Sequence, residues 1–186
     1  MPYKQVLQDA RERMRKAVEH LEHEFAGVRT GKASAALVED IRVDYYGAHT
    51  PLRELAGITT PEPRLIVIQP WDQNAVQNIV KAIQASSLGI TPVDDGRVVR
   101  IPIPDLTEER RRDLDKHIKH MAEETRVAIR NIRREENERL KKLQKDSKIT
   151  EDELRHGEKD IQKLTDDYIA KVNDALKRKE QEIFTV

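Results

Sequence analysis

The chain has 186 residues; 37% are charged and only 4% aromatic, and 34 Lys and Arg balance 34 Asp and Glu. It contains no cysteine, which excludes disulfides and thiolate metal sites and suits a reducing cytosol. The N-terminal segment has no signal-type apolar core and no apolar run is long enough for a bilayer, so a cytoplasmic protein with no membrane partner is expected.

Low net charge with a strong apolar period argues for long, folded, narrow helices, not disorder. In the first segment Val6 or Leu7, Ala10, Met14, Ala17, Leu21, Phe25 and Val28 step by three and four. That predicts one amphipathic helix, opened near Pro2 and closed by Gly31. Residues 32–104 hold most of the Gly and Pro and change period. Ile41–Tyr45 alternates as a half-buried strand turned by Tyr46 and Gly47, and Arg64–Ile68 reads as a more buried strand. Asp72 is placed to cap a helix from Gln73 to about Ser86, with Val76, Ile79, Val80 and Ile83 inward. Asp95 and Gly96 turn the chain into a strand at Val98–Ile101. Trp71 is expected to pack inside this small domain.

The last third returns to helical spacing. Thr107 with Glu108 and Glu109 opens a helix whose apolar residues are Leu114, Ile118, Met121, Thr125, Ala128, Ile132, Leu140 and Leu143. The pattern weakens at Glu135 and Glu136. After a break at Asp146–Ile149, Thr150 and Glu153 form a capping-box sequence. The helix they open carries Leu154, Ile161, Leu164, Tyr168, Val172 and Ala175 along one face. At ~1.5 Å per residue the longest helix would run about 55 Å. The expected class is α+β with two domains: a long three-helix bundle from residues 1–30 and 105–186, and an inserted small β/α/β domain at 31–104. Arg29, Thr30, Gly31 and Lys32 form one joint, and Pro102, Ile103, Pro104 and Asp105 the other, a pair suited to a hinge of restricted direction.

One stretch stands out in charge. Between Arg126 and Lys145 there are 8 Lys or Arg against 3 Glu on a chain whose total is zero. At ~100° per residue, Arg126, Arg130, Arg133, Arg134, Asn137 and Lys141 share one broad face, with the apolar residues roughly opposite. Two readings of that face stay open. It could be a solvated surface of ion pairs at helical spacing, each contributing only ~0.3–0.5 kcal/mol. It could equally be a rigid cationic stripe for a polyanion, since arginine forks match phosphate and RNA is read largely by shape and backbone. Ser34, Ser86, Ser87 and Ser147 lie in no nucleophile setting, and no glycine-rich loop cradles phosphate. His20 and His23, and His117 and His120, are paired one turn apart without a third ligand. No catalytic residue, metal or cofactor is therefore expected. The rival to RNA binding is a helical scaffold or chaperone-like clamp that binds protein without RNA contact.

Seven segments then occur in order at fitting spacing: Arg29–Ser34 (RTGKAS), Tyr45–Gly47 (YYG), Thr50–Leu52 (TPL), Leu88–Gly89 (LG), Leu106–Arg111 (LTEERR), Arg126–Arg134 (RVAIRNIRR) and Ile161–Asp166 (IQKLTD). Together they resemble the ribosome recycling factors along nearly the whole chain. The resemblance implies a monomer of two domains set in a rough L. It implies binding to the post-termination ribosome, at large-subunit rRNA on the intersubunit face. It also implies joint action with the GTPase elongation factor G, which splits the subunits and frees mRNA and tRNA. Carried over residue by residue, it marks Arg111, Arg130 and Arg133 as RNA contacts, with Arg29 at the corner of the bundle and Arg134 as a neighbour. Three departures are visible: Lys32 in place of the usual Arg, Ala48–His49 in place of Thr-Pro, and Glu135–Glu136 in place of Asp-Ala. The second bears on the small-domain surface and its fit to a partner GTPase.

Overall fold

The computed structural model describes residues 2–185. Helix α1 covers Pro2–Ala26, and strands follow at Arg42–Tyr45 (β1), Ala48–Pro51 (β2), Ala56–Glu62 (β3) and Leu65–Pro70 (β4). Helix α2 is Val76–Ala85, strands β5 and β6 are Val93–Asp94 and Val99–Pro102, and two long helices close the chain, α3 at Glu108–Lys145 and α4 at Glu151–Phe184. Two compact units result, Met1–Phe25 with Asp115–Val186, and Ala26–Leu114. Among the described residues no helix is long and apolar enough to cross a membrane.

In the smaller unit, β1 and β2 form an antiparallel hairpin, and β3-β4-β6-β5 form a four-stranded antiparallel sheet. Tyr46 (φ 50°) and Gly47 (φ 83°) turn the hairpin. Two successive left-handed residues match the right-handed twist of the strands they join, and Asp44 Oδ1 accepts the Gly47 N–H at 3.1 Å. The expected continuous burial of Arg64–Ile68 is instead one-sided: Ile66 and Ile68 are fully buried, Leu65 and Val67 half-buried, and Arg64 exposed. With Val43, Val99, Ile101 and the α2 residues Val76, Ile79, Val80 and Ile83 they make one core. Strand β3 carries Pro61 at the sheet edge, where its missing N–H costs no ladder bond, and its register with β4 slips between Thr59 and Glu62. Asp72 caps as expected, but it opens a 3-10 turn at Gln73–Ala75 that leads into α2. Trp71 is a correction to the sequence reading: it is 71% exposed, not packed inside. Its neighbours Pro70 and Ala75 are buried, so the core is filled without the indole.

In the larger unit α1 and α4 both run antiparallel to α3. Asp9 reaches Arg139 and Arg13 reaches Glu136 across one seam; across the other, Arg126 meets Asn173 and Leu140 meets Gly157. The α1 stripe is Val6, Ala10, Met14, Val18, Leu21 and Phe25. Val18 takes the place expected for Ala17, and the helix ends at Ala26, short of Gly31. The turn from α3 to α4 is a helix stop without glycine. Ser147 adopts φ 59°, and the Lys148 N–H donates to the Leu143 carbonyl at 2.8 Å, satisfying an end carbonyl of α3. Thr150 and Glu153 then form the reciprocal capping box.

The weak spot at Glu135 and Glu136 is a charged clamp. Glu136 is 5% exposed and accepts from Arg13 of α1 at 2.9 Å and from Arg139 at 3.3 Å. Arg13 also holds Glu135 at 2.5 Å, and Arg139 holds Asp9 at 2.7 Å. A buried carboxylate is tolerable only when paired in this way. Lys179, also buried, has only Glu182 at 3.4 Å among the described residues, and burial pushes its ammonium pKa down.

Gly157 marks a close approach of α4 to α3, because a Cβ there would stand 2.8 Å from Leu140 Cδ1, and Leu140 is fully buried. Replacing Gly157 by Ala gains ~1 kcal/mol of helix propensity but overpacks a full site, a loss of ~1–3 kcal/mol. Urea unfolding should show Gly157→Ala destabilising by about 1 kcal/mol. In a Leu140→Ala background the same change should become stabilising, because the obstructing methyls are gone.

Candidate nucleic-acid interface

Helix α3 positions the cationic stretch, and its buried residues Ile129, Ile132, Glu136 and Leu140 face the bundle. A stripe directly opposite that seam would leave every arginine in solvent. Arg126 instead has an 18% exposed side chain. Its Nε and Nη2 donate to Asn173 Oδ1 of α4 at 3.0 and 2.8 Å, and its Nη1 donates to Glu123 at 3.0 Å. Arg133 Nη1 leans toward Gln162 of α4 at 3.4 Å. The stripe thus flanks the α3–α4 groove, on the edge of the apolar seam.

Its members differ in how their charge is spent. Arg130 shares Glu123 with Arg126, at 3.2 Å; hydrogen bonds from both guanidinium groups, Arg126 first, hold the Glu123 carboxyl below its usual pKa. Lys141 pairs with Glu138 at 3.3 Å. Asn137 is half-buried, and its Oδ1 is buried without a hydrogen-bond donor. Arg133 has only the neutral Gln162, and Arg134 is exposed with no hydrogen-bond or ion-pair partner among the described residues. Lys142 and Lys145 are unpaired in the same sense, and with Glu138, Lys141 and Asp146 they line a cleft of about 420 Å³. The acids nearest in sequence to Arg133 and Arg134 are Glu135 and Glu136, and both are occupied by Arg13. The charge excess is therefore real at Arg133, Arg134, Lys142 and Lys145, and halved at Arg126 and Arg130, which share the one carboxylate of Glu123. Glu123, three residues before Arg126, was legible as their partner from spacing alone. The two α4 amides, Asn173 and Gln162, were not.

Arg29 and Arg111 belong to the other compact unit. Arg29 is half-buried and donates to the Leu88 carbonyl at 3.4 Å and the Pro104 carbonyl at 3.3 Å, while its Nε is buried without an acceptor. Burial, and then the nearby Arg110, lower its pKa. Arg111 is half-buried, with no side-chain partner among the described residues. Of the candidate joint residues, Thr30 is half-buried, Lys32 exposed, and Gly31 left-handed at φ 83°. Pro102 closes β6 opposite Leu65, and Ile103 is 3% exposed with its N–H on the Arg64 carbonyl at 2.8 Å. These two are built into the small domain. Pro104 is exposed, and Asp105 is ion-paired with Arg64. His20 lies 2.5 Å from Glu24 and His120 2.9 Å from Glu124, each pair along its own helix.

A family model described as ribosome recycling factor matches residues 21–184. The ribosome-recycling factor of Bacillus pumilus is 53% identical over 183 residues, covering 98% of this chain and 99% of that one. That of Nitratidesulfovibrio vulgaris is 52% identical over 186 residues, covering both chains completely. A solution structure of a ribosome recycling factor superposes with a TM-score of 0.79 at 44% identity, covering 100% of this chain and 99% of that one. A second match has a TM-score of 0.68 at 50% identity, with complete coverage of both chains. It comes from models of the T. thermophilus ribosome recycling factor and the E. coli elongation factor G bound to the E. coli post-termination complex.

Glu123→Gln provides a test of how the stripe's charge is spent. It frees Arg126 and Arg130 from their shared carboxylate while keeping an acceptor, and exposed pairs of this kind contribute little to stability. Thermal unfolding should stay nearly unchanged, and elution from a heparin column should move to higher salt. Unchanged elution would mean that the two arginines face no polyanion.

Proposed function

The chain belongs to the ribosome recycling factor family, and from that membership we propose that it binds the post-termination ribosome and, with elongation factor G, splits it into subunits with release of mRNA and tRNA. The observation that supports a physical role for the bundle is the set of cations on α3 without carboxylates: Arg133, Arg134, Lys142 and Lys145. In this reading they grip large-subunit rRNA through phosphate. Guanidinium groups make paired hydrogen bonds there, and each contact releases condensed counterions. Arg126 and Arg130 add contacts once phosphate competes with Glu123. Arg111, Arg29, Asn137 and Lys141 complete the proposed RNA-binding set.

The reading needs no covalent step by this chain, and the family is one of translation factors. Nucleotide hydrolysis belongs to the GTPase. The chain contributes differential binding: it shifts the ribosome toward a state whose intersubunit contacts are disrupted only if it holds that state more tightly. The joints proposed at residues 29–32 and, beyond the sheet-bound Pro102 and Ile103, at 104–105 let the small domain take up a push that the stiff bundle converts into displacement. A cytoplasmic monomer suits such a role. The clamp reading predicts partner binding that ignores arginine reversal, and the uncompensated charge on α3 favours RNA over it.

The test is pelleting with purified large ribosomal subunits. Arg130→Glu combined with Arg133→Glu should leave helicity and melting nearly unchanged, since both side chains are partly solvated. Co-sedimentation should nevertheless fall by about tenfold or more, the effect expected when roughly two charge-assisted hydrogen bonds to phosphate are removed. Wild-type pelleting by the double variant would sink the RNA-binding role of the stripe.

A further inference from the structure

The segment Ile161–Asp166 has no member in the RNA-binding set proposed above, yet it reaches that set from the α4 side of the groove. Arg133 Nη1 donates to Gln162 Oε1 at 3.4 Å, and Gln162 Nε2 donates to Asp166 Oδ1 at 2.9 Å. An amide side chain has a carbonyl end and an amine end. Holding the amine on Asp166 turns the carbonyl toward the guanidinium. Further along α4, Asn173 Oδ1 accepts from both Nε and Nη2 of Arg126, at 3.0 and 2.8 Å. Turning ~100° per residue brings Gln162 and Asn173 to within about 20° of one another, on one face of α4. Arg126 and Arg133 share a face of α3 by the same geometry.

Charge decides what these amides contribute. Gln162 and Asn173 are exposed, and bonds to a guanidinium in that setting add little to stability. A carboxylate in either place would also cancel charge, as Glu123 does in part for Arg126. An amide carbonyl fixes the guanidinium fork and cancels nothing. The carboxylate of the relay, Asp166, stands behind Gln162 and makes no ion pair with Arg133. Side chains ordered beforehand need not be ordered by the binding step, which otherwise weakens association for each long side chain immobilised.

We propose that Gln162 and Asn173 are positioning residues for RNA contact: neutral acceptors on α4 that hold Arg133 and Arg126 in place and leave their charge to phosphate. This rests on the function proposed above and adds to it two residues that act through the arginines.

The test exchanges amide for acid at nearly constant shape. Asn173→Asp with Gln162→Glu keeps an acceptor beside each arginine and adds charge, so melting should stay nearly unchanged. Binding to purified large ribosomal subunits should weaken about tenfold, as when one or two charge-assisted bonds to phosphate are lost. The slope of log K against log salt should become shallower by about one. If the amides merely tied α4 to α3, the acids would tie them at least as well, so wild-type affinity in this variant would overturn the proposal. Ala170→Glu puts a carboxylate at another exposed position of α4 and should leave binding within about twofold of wild type. Equal weakening by that change would reduce the effect to diffuse repulsion and would also defeat the positioning role. Asn173→Ala with Gln162→Ala keeps the charge and removes the hold. It should weaken binding about threefold or more with an unchanged salt slope, and full affinity there would show that the arginines need no positioning. Failure of the wild-type chain to pellet with large subunits would remove the proposed function and this inference together. Normal wild-type pelleting with unaffected variants would remove the inference alone.

Discussion

The arrangement of the bundle turns on one buried carboxylate. Glu136 sits inside the α1–α3 seam, held by Arg13 from one helix and Arg139 from the other. Removing Arg13 would leave this nearly buried carboxylate with Arg139 of its own helix alone, so the pair across the seam helps fix how α1 lies along α3. The same pairing shapes the outer surface. Because Arg13 occupies both Glu135 and Glu136, the adjacent Arg133 and Arg134 are left without the acids that would otherwise neutralise them. A device inside the bundle thus keeps charge available outside it.

Much of this was legible from spacing. Steps of three and four located α1, α3 and α4, the Thr150 capping box located the start of α4, and Asp72 located the approach to α2. Strands β2 and β3 were not visible: Ala48–Pro51 is short and polar, and Ala56–Glu62 carries Gly57 and Pro61. Their pairing is set by partners elsewhere in the chain, and local pattern does not register it. Trp71 failed for a related reason, since aromatic residues are usually buried and nothing local revealed that the core closes without it. Within the stripe the charge excess was legible, but its distribution was not. Glu135 and Glu136 are consumed by α1, and Asn173 and Gln162 arrive from α4; both are tertiary facts.

The two compact units each hold a local charge imbalance. On the larger, cations lack acids along one helix edge; on the smaller, carboxylates beside exposed rings lack cations. Net neutrality of the whole chain conceals this division.

The central claim, that unpaired cations on α3 engage rRNA phosphate, is tested most directly by the salt dependence of wild-type binding to large subunits. If Arg133, Arg134, Lys142 and Lys145 each displace counterions, log K against log salt should fall with a slope of about −3. A slope near zero would mean that phosphate contact contributes nothing to binding, and the account of the stripe would be wrong.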